Sequence, residues 1–535
     1  MRHKFPPELL SGHGFISGLS RKNFTFYAKK IIIINMTEKF YLTTPVYYVN
    51  DIPHIGHAYT TIAADALARY KRSKGYDVRF LTGTDEHGQK VWKAAQAQDK
   101  SPQEFVDGIV DRFKTAWDKL NISYDDFIRT TEKRHQATVQ KIFGRLLEQG
   151  DIYKGDYEGW YCVPCETYWA ESELVEDMEG RKLCPDCGRP SELLKEETYY
   201  FRQSKYQEKL LQYIDAHPDF IAPAPRRNEI IQFIKQGLKD LSVTRTAFPW
   251  GIIVPADPKH VVYVWFDALI NYVSALGYAS SDEEMFKKYW PADVHLMGKE
   301  IVRFHAITWP CILLALGVPL PKKVFGHGWW TVEGQKMSKT KGNVVDPLAL
   351  SSEFGVDAVR YFILREVPFG VDGDFSMKLF IERFNADLAN DLGNLLSRTL
   401  TMVEKYFKSQ IPNPKSQTNT NDQITKEIQK LIDETPETVD KAMNELAFSE
   451  ALGTIWQLIT KANVYIEKQA PWSLAKKGEN EQLALVLSTL IKAIKLVADQ
   501  IKPFMPETSS RINAQLNLGG EKIAKGEPLF PRIQK

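Results

Sequence analysis

Residues 40–82 read FYLTTPVYYVNDIPHIGHAYTTIAADALARYKRSKGYDVRFLT, and this stretch decides the fold class. Phe40 to Thr44 is dense in aromatic and β-branched side chains, which predicts a strand. Asn50, Asp51 and Pro53 make the following residues a loop. Tyr59, Ile62, Ala63, Ala66, Leu67 and Tyr70 then step by three and one, the spacing of one helix face, and Gly75 ends that helix. Asp77 to Thr82 predicts the next strand, and Val91 to Gln96 a second helix. Strands alternating with helices imply a parallel, doubly wound α/β sheet.

Outward from this unit the rhythm is first lost and then regained. From about 151 to 236 the chain is rich in Gly, Pro and charge and carries four cysteines without a βαβ repeat, as an insertion would. Strand character returns at Val261 to Trp265 and at Val294 to Met297, followed by an apolar helix from Ile301 to Leu316. Beyond about 375 strand signals stop. Leu388, Leu392, Leu395 and Leu396 open a helical series, Leu483 to Ile501 forms another, and the polar stretch Ser409 to Asp422 is a loop between them. Upstream, residues 1–35 hold six basic side chains against one acidic, Glu8. Such a bias suits a transit peptide, but an upstream extension with no role, as from a mis-called start, accounts for it more simply. The expected parts are therefore an N-terminal extension (1–35), the first half of the α/β domain (36–150), the insertion (151–236), the second half (237–330), a stem-contact region carrying the lysine-rich loop Lys336 to Thr340 (331–375) and a helical domain (376–535).

Length and composition fit this division. The 535 residues suit three or four domains, and 43% apolar with 25% charged residues is the profile of a globular protein. With 69 basic against 67 acidic residues the net charge is +2, so a nucleic-acid partner would be held by local patches rather than by overall charge. No run approaches the ~20 apolar residues of a spanning helix, which excludes a membrane partner.

Two short segments carry chemistry. His54-Ile55-Gly56-His57 lies between the first strand and the first helix, where free N–H groups and the positive end of the helix dipole favour phosphate. Its imidazoles are three residues apart and share a face, and Gly56 leaves room for a flat base. Lys336-Met337-Ser338-Lys339-Thr340 gathers ammonium groups able to neutralise charge on a departing pyrophosphate. Alone, each is as readily a surface feature. Together, one after the first strand and one after the later strands, they meet at the carboxyl ends of a doubly wound sheet, where ligands bind. Neither loop carries the glycine pattern of a P-loop or a dinucleotide fold. Cys162-x-x-Cys165 and Cys184-x-x-Cys187 are separated by 18 residues, the spacing of a structural zinc ribbon with four thiolate ligands; free thiols or two disulfides are the alternative. Cys311 lies in the apolar helix and is a buried residue.

The two segments resemble the HIGH and KMSKS signatures of class I aminoacyl-tRNA synthetases; the first matches letter for letter, and the second departs only at Thr340. Within that class the chain is similar to the methionyl-tRNA synthetases from about Lys39 to Pro531, including Thr43 to Tyr48, Leu81 to Gly88, Val264 to Ala268 and Gln469 to Trp472. The resemblance implies a Rossmann-type catalytic domain, a connective insertion with one zinc knuckle, and a helical-bundle anticodon-binding domain. It implies ligation of methionine to tRNA(Met) through methionyl-adenylate, with ATP and Mg²⁺, in the cytoplasm. His54, Gly56, His57, Lys336, Ser338 and Lys339 would bind ATP, the two histidines and two lysines being catalytic. Val46, Tyr48, Asp85, Trp265, Tyr272, Ile301, Phe304, His305 and Trp309 would surround methionine, with Asp85 on its ammonium and Tyr272 and His305 as donors to its sulfur. Arg245 matches a position at the site's edge, and Asn394, Arg398 and Trp472 match the anticodon contacts. With no appended dimerisation module in the sequence, a monomer is expected.

Two rival readings differ in what they require. A class I synthetase for a branched aliphatic residue would carry a much longer editing insertion, and one for cysteine would place zinc at the substrate. A non-catalytic RNA-binding relative would not need the intact set His54, His57, Lys336 and Lys339.

Overall fold

The computed structural model describes residues 37–49, 53–169, 171–336, 344–412, 422–520 and 522–534. The N-terminal extension therefore lies outside the described residues, as do Ser338, Lys339 and most of the polar stretch 409–422.

Six strands form one all-parallel sheet: β1 (Lys39–Tyr48), β2 (Asp77–Asp85), β3 (Asp126–Arg129), β4 (Ile221–Ala222), β5 (Val294–Gly298) and β6 (Val324–His327), in the spatial order β3-β2-β1-β5-β6-β4. Successive residues of β1 point to opposite faces, and both faces are covered. Phe40 and Leu42 enter one apolar cluster with the helix α1 (Ile55–Ser73), while Tyr41 enters a second with helices Lys133–Glu148 and Trp309–Leu316. Order reverses between β1 and β5, which opens a crevice at their carboxyl ends. β1 is bulged between Thr43 and Val46, where Pro45 has no N–H to give to the ladder.

The insertion's first part is an antiparallel sheet built on the long hairpin Ile152–Cys162 with Glu192–Phe201, extended by Thr167–Trp169 and by Leu241–Ser242. Its later part returns to the main sheet, because Ile221–Ala222 is the edge strand β4. Val261 to Trp265 differs from the strand expected there. Only Val261–Val262 is extended, and a helix runs from Val264 to Leu269. A short apolar run suits a buried helix as well as a strand, and here the helix turns Asp267 inward to His87 (2.6 Å) and His135 (2.6 Å). The expected helix from Ile301 begins as a 3₁₀ turn, continues as a π-helical segment Phe304–Thr308 and becomes α-helical at Trp309. The wider π turn precedes Pro310, whose ring and missing N–H do not suit a regular α-helical ladder.

After residue 376 the described chain is helical, with Asn394–Phe407, Gln423–Asn444, Phe448–Gln469, Asn480–Ile501 and Pro506–Leu516 as the main helices. This bundle shares the apolar cluster of α1 rather than hanging from a linker. A fully buried ion pair crosses the junction: Arg360 holds Asp65 of α1 at 2.6 Å and donates to the carbonyls of Phe504 (2.8 Å) and Pro503 (3.1 Å).

Candidate active site

A cavity of ≈ 1030 Å³ occupies the crevice between β1 and β5. His54, Gly56 and His57 form one wall at the start of α1. The imidazoles take the part that Ser and Glu play in a usual capping box. Nδ1 of His54 accepts from the Gly56 amide (3.1 Å), and Nδ1 of His57 accepts from the His54 amide (3.3 Å). With each Nδ1 an acceptor, a neutral ring carries its proton on Nε2, so each can donate to an anion. Burial, and then His54, holds the pKa of His57 well below the ordinary histidine value, so it is uncharged at neutral pH. A Cβ on residue 56 would lie 2.9 Å from Cε1 of His54, so the capping geometry itself requires glycine.

The lysine segment reaches this wall by its described flanks. Lys336 ends a strand paired with Trp330–Val332, and the Val345 carbonyl accepts from the amide of Ile55, the first residue of α1 (3.2 Å). The side chain of Lys336 and residues 337–343, with Ser338 and Lys339, lie outside the description.

The opposite wall receives Val46, Tyr48, Asp85, Trp265, Tyr272, Ile301, Phe304 and His305. Asp85 is paired in register with Tyr48 across β1 and β2. It is 7% exposed, and its Oδ1 has no hydrogen-bond partner among the described residues. Burial, followed by the charges of Asp267, Glu166 and Glu86, raises its pKa well above the ordinary carboxylate value. A buried anion without a counter-ion is costly, and a cationic ligand group would relieve that cost. Trp265 and Phe304 stack at 4.0 Å with an interplanar angle of 6°.

Three residues differ from the expectation. Trp309 does not line the cavity; fully buried, it stands behind Tyr272 (5.9 Å between rings) and donates from Nε1 to His295 (3.3 Å). Helical spacing explains this, since a residue one turn beyond His305 is shifted around the axis by the π segment. The sulfur donors are also already engaged: His305 gives its Nδ1–H to the Ile301 carbonyl (2.9 Å), so Nε2 accepts from the Tyr272 hydroxyl (2.7 Å). Burial lowers the pKa of His305 to about 4, which keeps the ring neutral. As arranged, this pair offers a thioether a polarisable wall rather than a free donor.

The cavity also recruits residues that motif reading passed over. Lys299 and Glu300 follow β5 directly; Lys299 pairs with Asp372 (2.6 Å), and Glu300 accepts from the Trp329 indole (2.5 Å). The rule that ligands sit at the carboxyl ends of strands flanking the reversal was the available signal for both. Glu166 also lines the cavity, and no motif pointed to it. Arg245 is buried beside the cavity, its guanidinium 4.2 Å from the Tyr263 ring and 5.4 Å from the Tyr161 ring.

Cys162, Cys165, Cys184 and Cys187 form one cluster, every Sγ within 4.8 Å of the others. The separations Cys162–Cys187 (3.6 Å) and Cys165–Cys184 (3.9 Å) are far longer than a disulfide, and all four are free thiols. Zn–S bonds of ~2.3 Å in a tetrahedron place sulfurs roughly 3.8 Å apart, so the donor set fits a closed metal site. Cys311 is buried within its helix, and burial raises its pKa to about 12.

In the helical domain Asn394 is exposed one turn before Arg398. Ala470 takes a left-handed φ of +41°, Pro471 starts a new helix, and Trp472 is left 38% exposed. Arg398 lies 5.9 Å from the Trp472 ring and pairs with Glu467 at 2.6 Å. The three residues thus gather on one surface.

Comparison with known proteins agrees with these features. A family model described as tRNA synthetases class I (M) matches residues 40–400, and one described as the anticodon binding domain of methionyl tRNA ligase matches residues 411–527. A methionine–tRNA ligase of Caldanaerobacter subterraneus is 56% identical over 515 residues, covering 93% of this chain and 79% of its own length. One of Bacillus subtilis is 50% identical over 520 residues, covering 92% and 78%. Among solved structures, Mycobacterium tuberculosis methionyl-tRNA synthetase in complex with methionyl-adenylate superimposes with a TM-score of 0.89 at 42% identity, covering 93% of this chain and all of that one.

Proposed function

This chain belongs to the class I methionyl-tRNA synthetase family, and from that premise we propose how its residues divide the work of joining methionine to tRNA(Met). In the first step a methionine carboxylate oxygen attacks the α-phosphorus of ATP; the bond to the β-phosphate oxygen breaks, giving methionyl-adenylate and pyrophosphate. In the second, a ribose hydroxyl of the tRNA's terminal adenosine attacks the activated carbonyl, loses its proton, and AMP leaves. No protein nucleophile is needed, so catalysis rests on orientation and charge.

His54 and His57 hold ATP phosphate oxygens through Nε2–H, Gly56 passes the adenine, and Lys336, Ser338 and Lys339 meet the leaving pyrophosphate. Mg²⁺ accompanies ATP. Asp85 binds the methionine ammonium, while Trp265, Phe304, Tyr272, His305, Val46, Tyr48 and Ile301 enclose the side chain and Trp309 braces Tyr272 from behind. The observation that carries this reading is the buried Asp85 carboxylate, whose Oδ1 has no hydrogen-bond partner among the described residues, in the same cavity as the imidazole-capped helix. Cys162, Cys165, Cys184 and Cys187 would hold one structural zinc, which the cluster's spacing supports. Asn394, Arg398 and Trp472 read the anticodon, the exposed indole stacking on an unpaired base. The chain acts as a monomer in the cytoplasm beside its tRNA. Methionine-dependent exchange of pyrophosphate into ATP tests the assignment. Exchange with methionine and not with leucine, isoleucine, valine or cysteine is expected; exchange driven by another amino acid in place of methionine would overturn it.

A further inference from the structure

Glu166 follows directly on Cys165, at the end of the first cysteine pair, yet its carboxylate belongs to the cavity rather than to the cysteine cluster. A one-turn 3₁₀ helix, Val163–Cys165, ends with Glu166 in the left-handed region (φ +50°), which turns the chain back on itself. The side chain is 4% exposed. Four groups hold it. Oε1 accepts from the Tyr48 hydroxyl (3.2 Å) and from the Lys90 amide (3.2 Å), and Oε2 accepts from the Tyr161 hydroxyl. The Glu166 carbonyl accepts from Tyr263. Arg245 stacks on both the Tyr161 and Tyr263 rings, so the residue at the edge of the site braces the two tyrosines that grip Glu166.

The space between this carboxylate and Gly88 is closed. Gly88 has a φ of +110°, and a Cβ there would lie 2.7 Å from the Tyr48 hydroxyl and 3.0 Å from Oε1 of Glu166. Tyr48 is in register with Asp85 on the neighbouring strand. A buried carboxylate that accepts several hydrogen bonds fixes the groups that donate to it, and its removal leaves those donors unsatisfied.

We propose that Glu166 is a positioning residue for methionine: the knuckle turns it into the cavity wall, where it fixes the Tyr48 ring beside Asp85. The insertion thereby contributes to amino-acid binding through this side chain. The proposal rests on the reading of this cavity as the methionine site.

The test uses the full chain and four variants, Glu166→Ala, Glu166→Gln, Tyr48→Phe and the double variant Glu166→Ala/Tyr48→Phe. Methionine Kd is measured by equilibrium dialysis without ATP, KM and kcat by pyrophosphate exchange, and zinc by metal analysis against the unaltered chain. Glu166→Ala is expected to raise the methionine Kd and KM about tenfold, the effect of roughly one lost buried hydrogen bond. The ATP KM and the zinc content should stay within about twofold. Glu166→Gln retains an oxygen for Tyr48 and Lys90 and should recover most of the affinity. The double variant should bind methionine no worse than the weaker single variant, because both remove one contact. An unchanged Kd in Glu166→Ala, single effects that multiply in the double variant, or loss of zinc together with affinity would each overturn the proposal. Absence of methionine binding by the unaltered chain would instead refute the reading of the cavity.

Discussion

Replacing Asp85 by asparagine keeps the shape of a buried side chain and removes its charge. Three carboxylates, Asp267, Glu166 and Glu86, already press on Asp85, and its Oδ1 has no partner among the described residues. The free protein therefore bears a cost that the methionine ammonium removes. A hydrogen bond to a charged group contributes about 1.5–3 kcal/mol, and about 1.4 kcal/mol is a factor of ten. The methionine KM of Asp85→Asn should therefore rise roughly 10- to 150-fold. The ammonium carries the same charge before and during attack on the α-phosphorus. Its contact with residue 85 is uniform binding, so kcat should stay within about threefold. The pH profile supplies a second sign. Because the Asp85 pKa is raised in the free protein, the ionised, binding form grows as pH rises through that raised value. The methionine KM of the unaltered chain should fall with rising pH, while that of Asp85→Asn stays flat over the same range. Loss of the repelled carboxylate should leave the melting temperature of the free protein unchanged or higher. Pyrophosphate exchange from pH 5.5 to 8.5 with calorimetric melting measures all three. A KM within about twofold of normal, or a defect confined to kcat, refutes the assignment.

The cysteine cluster predicts one zinc per chain by metal analysis, lost in Cys162→Ser or Cys187→Ser with a fall in activity that follows from disturbed geometry; zinc-free protein with full exchange activity contradicts it. Lys339→Ala should lower kcat of adenylate formation ~100-fold or more with little change in methionine KM, since the ammonium acts on charge that develops in the transition state; near-normal exchange removes Lys339 from the mechanism. Trp472→Ala should raise the KM for tRNA about 5- to 150-fold, from stacking of ~1–3 kcal/mol. With the indole 38% exposed, it should leave exchange and melting temperature nearly intact. Parallel loss of exchange and melting temperature would make Trp472 a packing residue.

The sequence by itself determined the elements whose pattern is local. The strand at Phe40 to Thr44, the helix from Tyr59 to Tyr70 and the strand from Asp77 are buried almost throughout, and the residue types and spacing that mark them are properties of neighbours in the chain. The cysteine spacing was equally legible, because a knuckle brings its ligands together across a single turn. Val261 to Trp265 was not, because a short apolar run has no period to separate helix from strand until Asp267 finds His87 and His135.

Tertiary structure decided what depends on distant segments. Trp309 is one turn beyond His305 in sequence, but the π segment places it behind Tyr272 instead of in the cavity. The proton between Tyr272 and His305 is allotted by the Ile301 carbonyl, which no motif encodes. Glu166 reads in sequence as a charge beside a cysteine. Only the fold brings it to Tyr48, 118 residues away along the chain, because hydrogen bonds of this kind are set by the packing of the insertion against β1. Residue types and local spacing thus carry the chemistry the protein can use, while the close-packed interior, where a buried polar group must find a partner wherever the chain passes near, selects which residues use it.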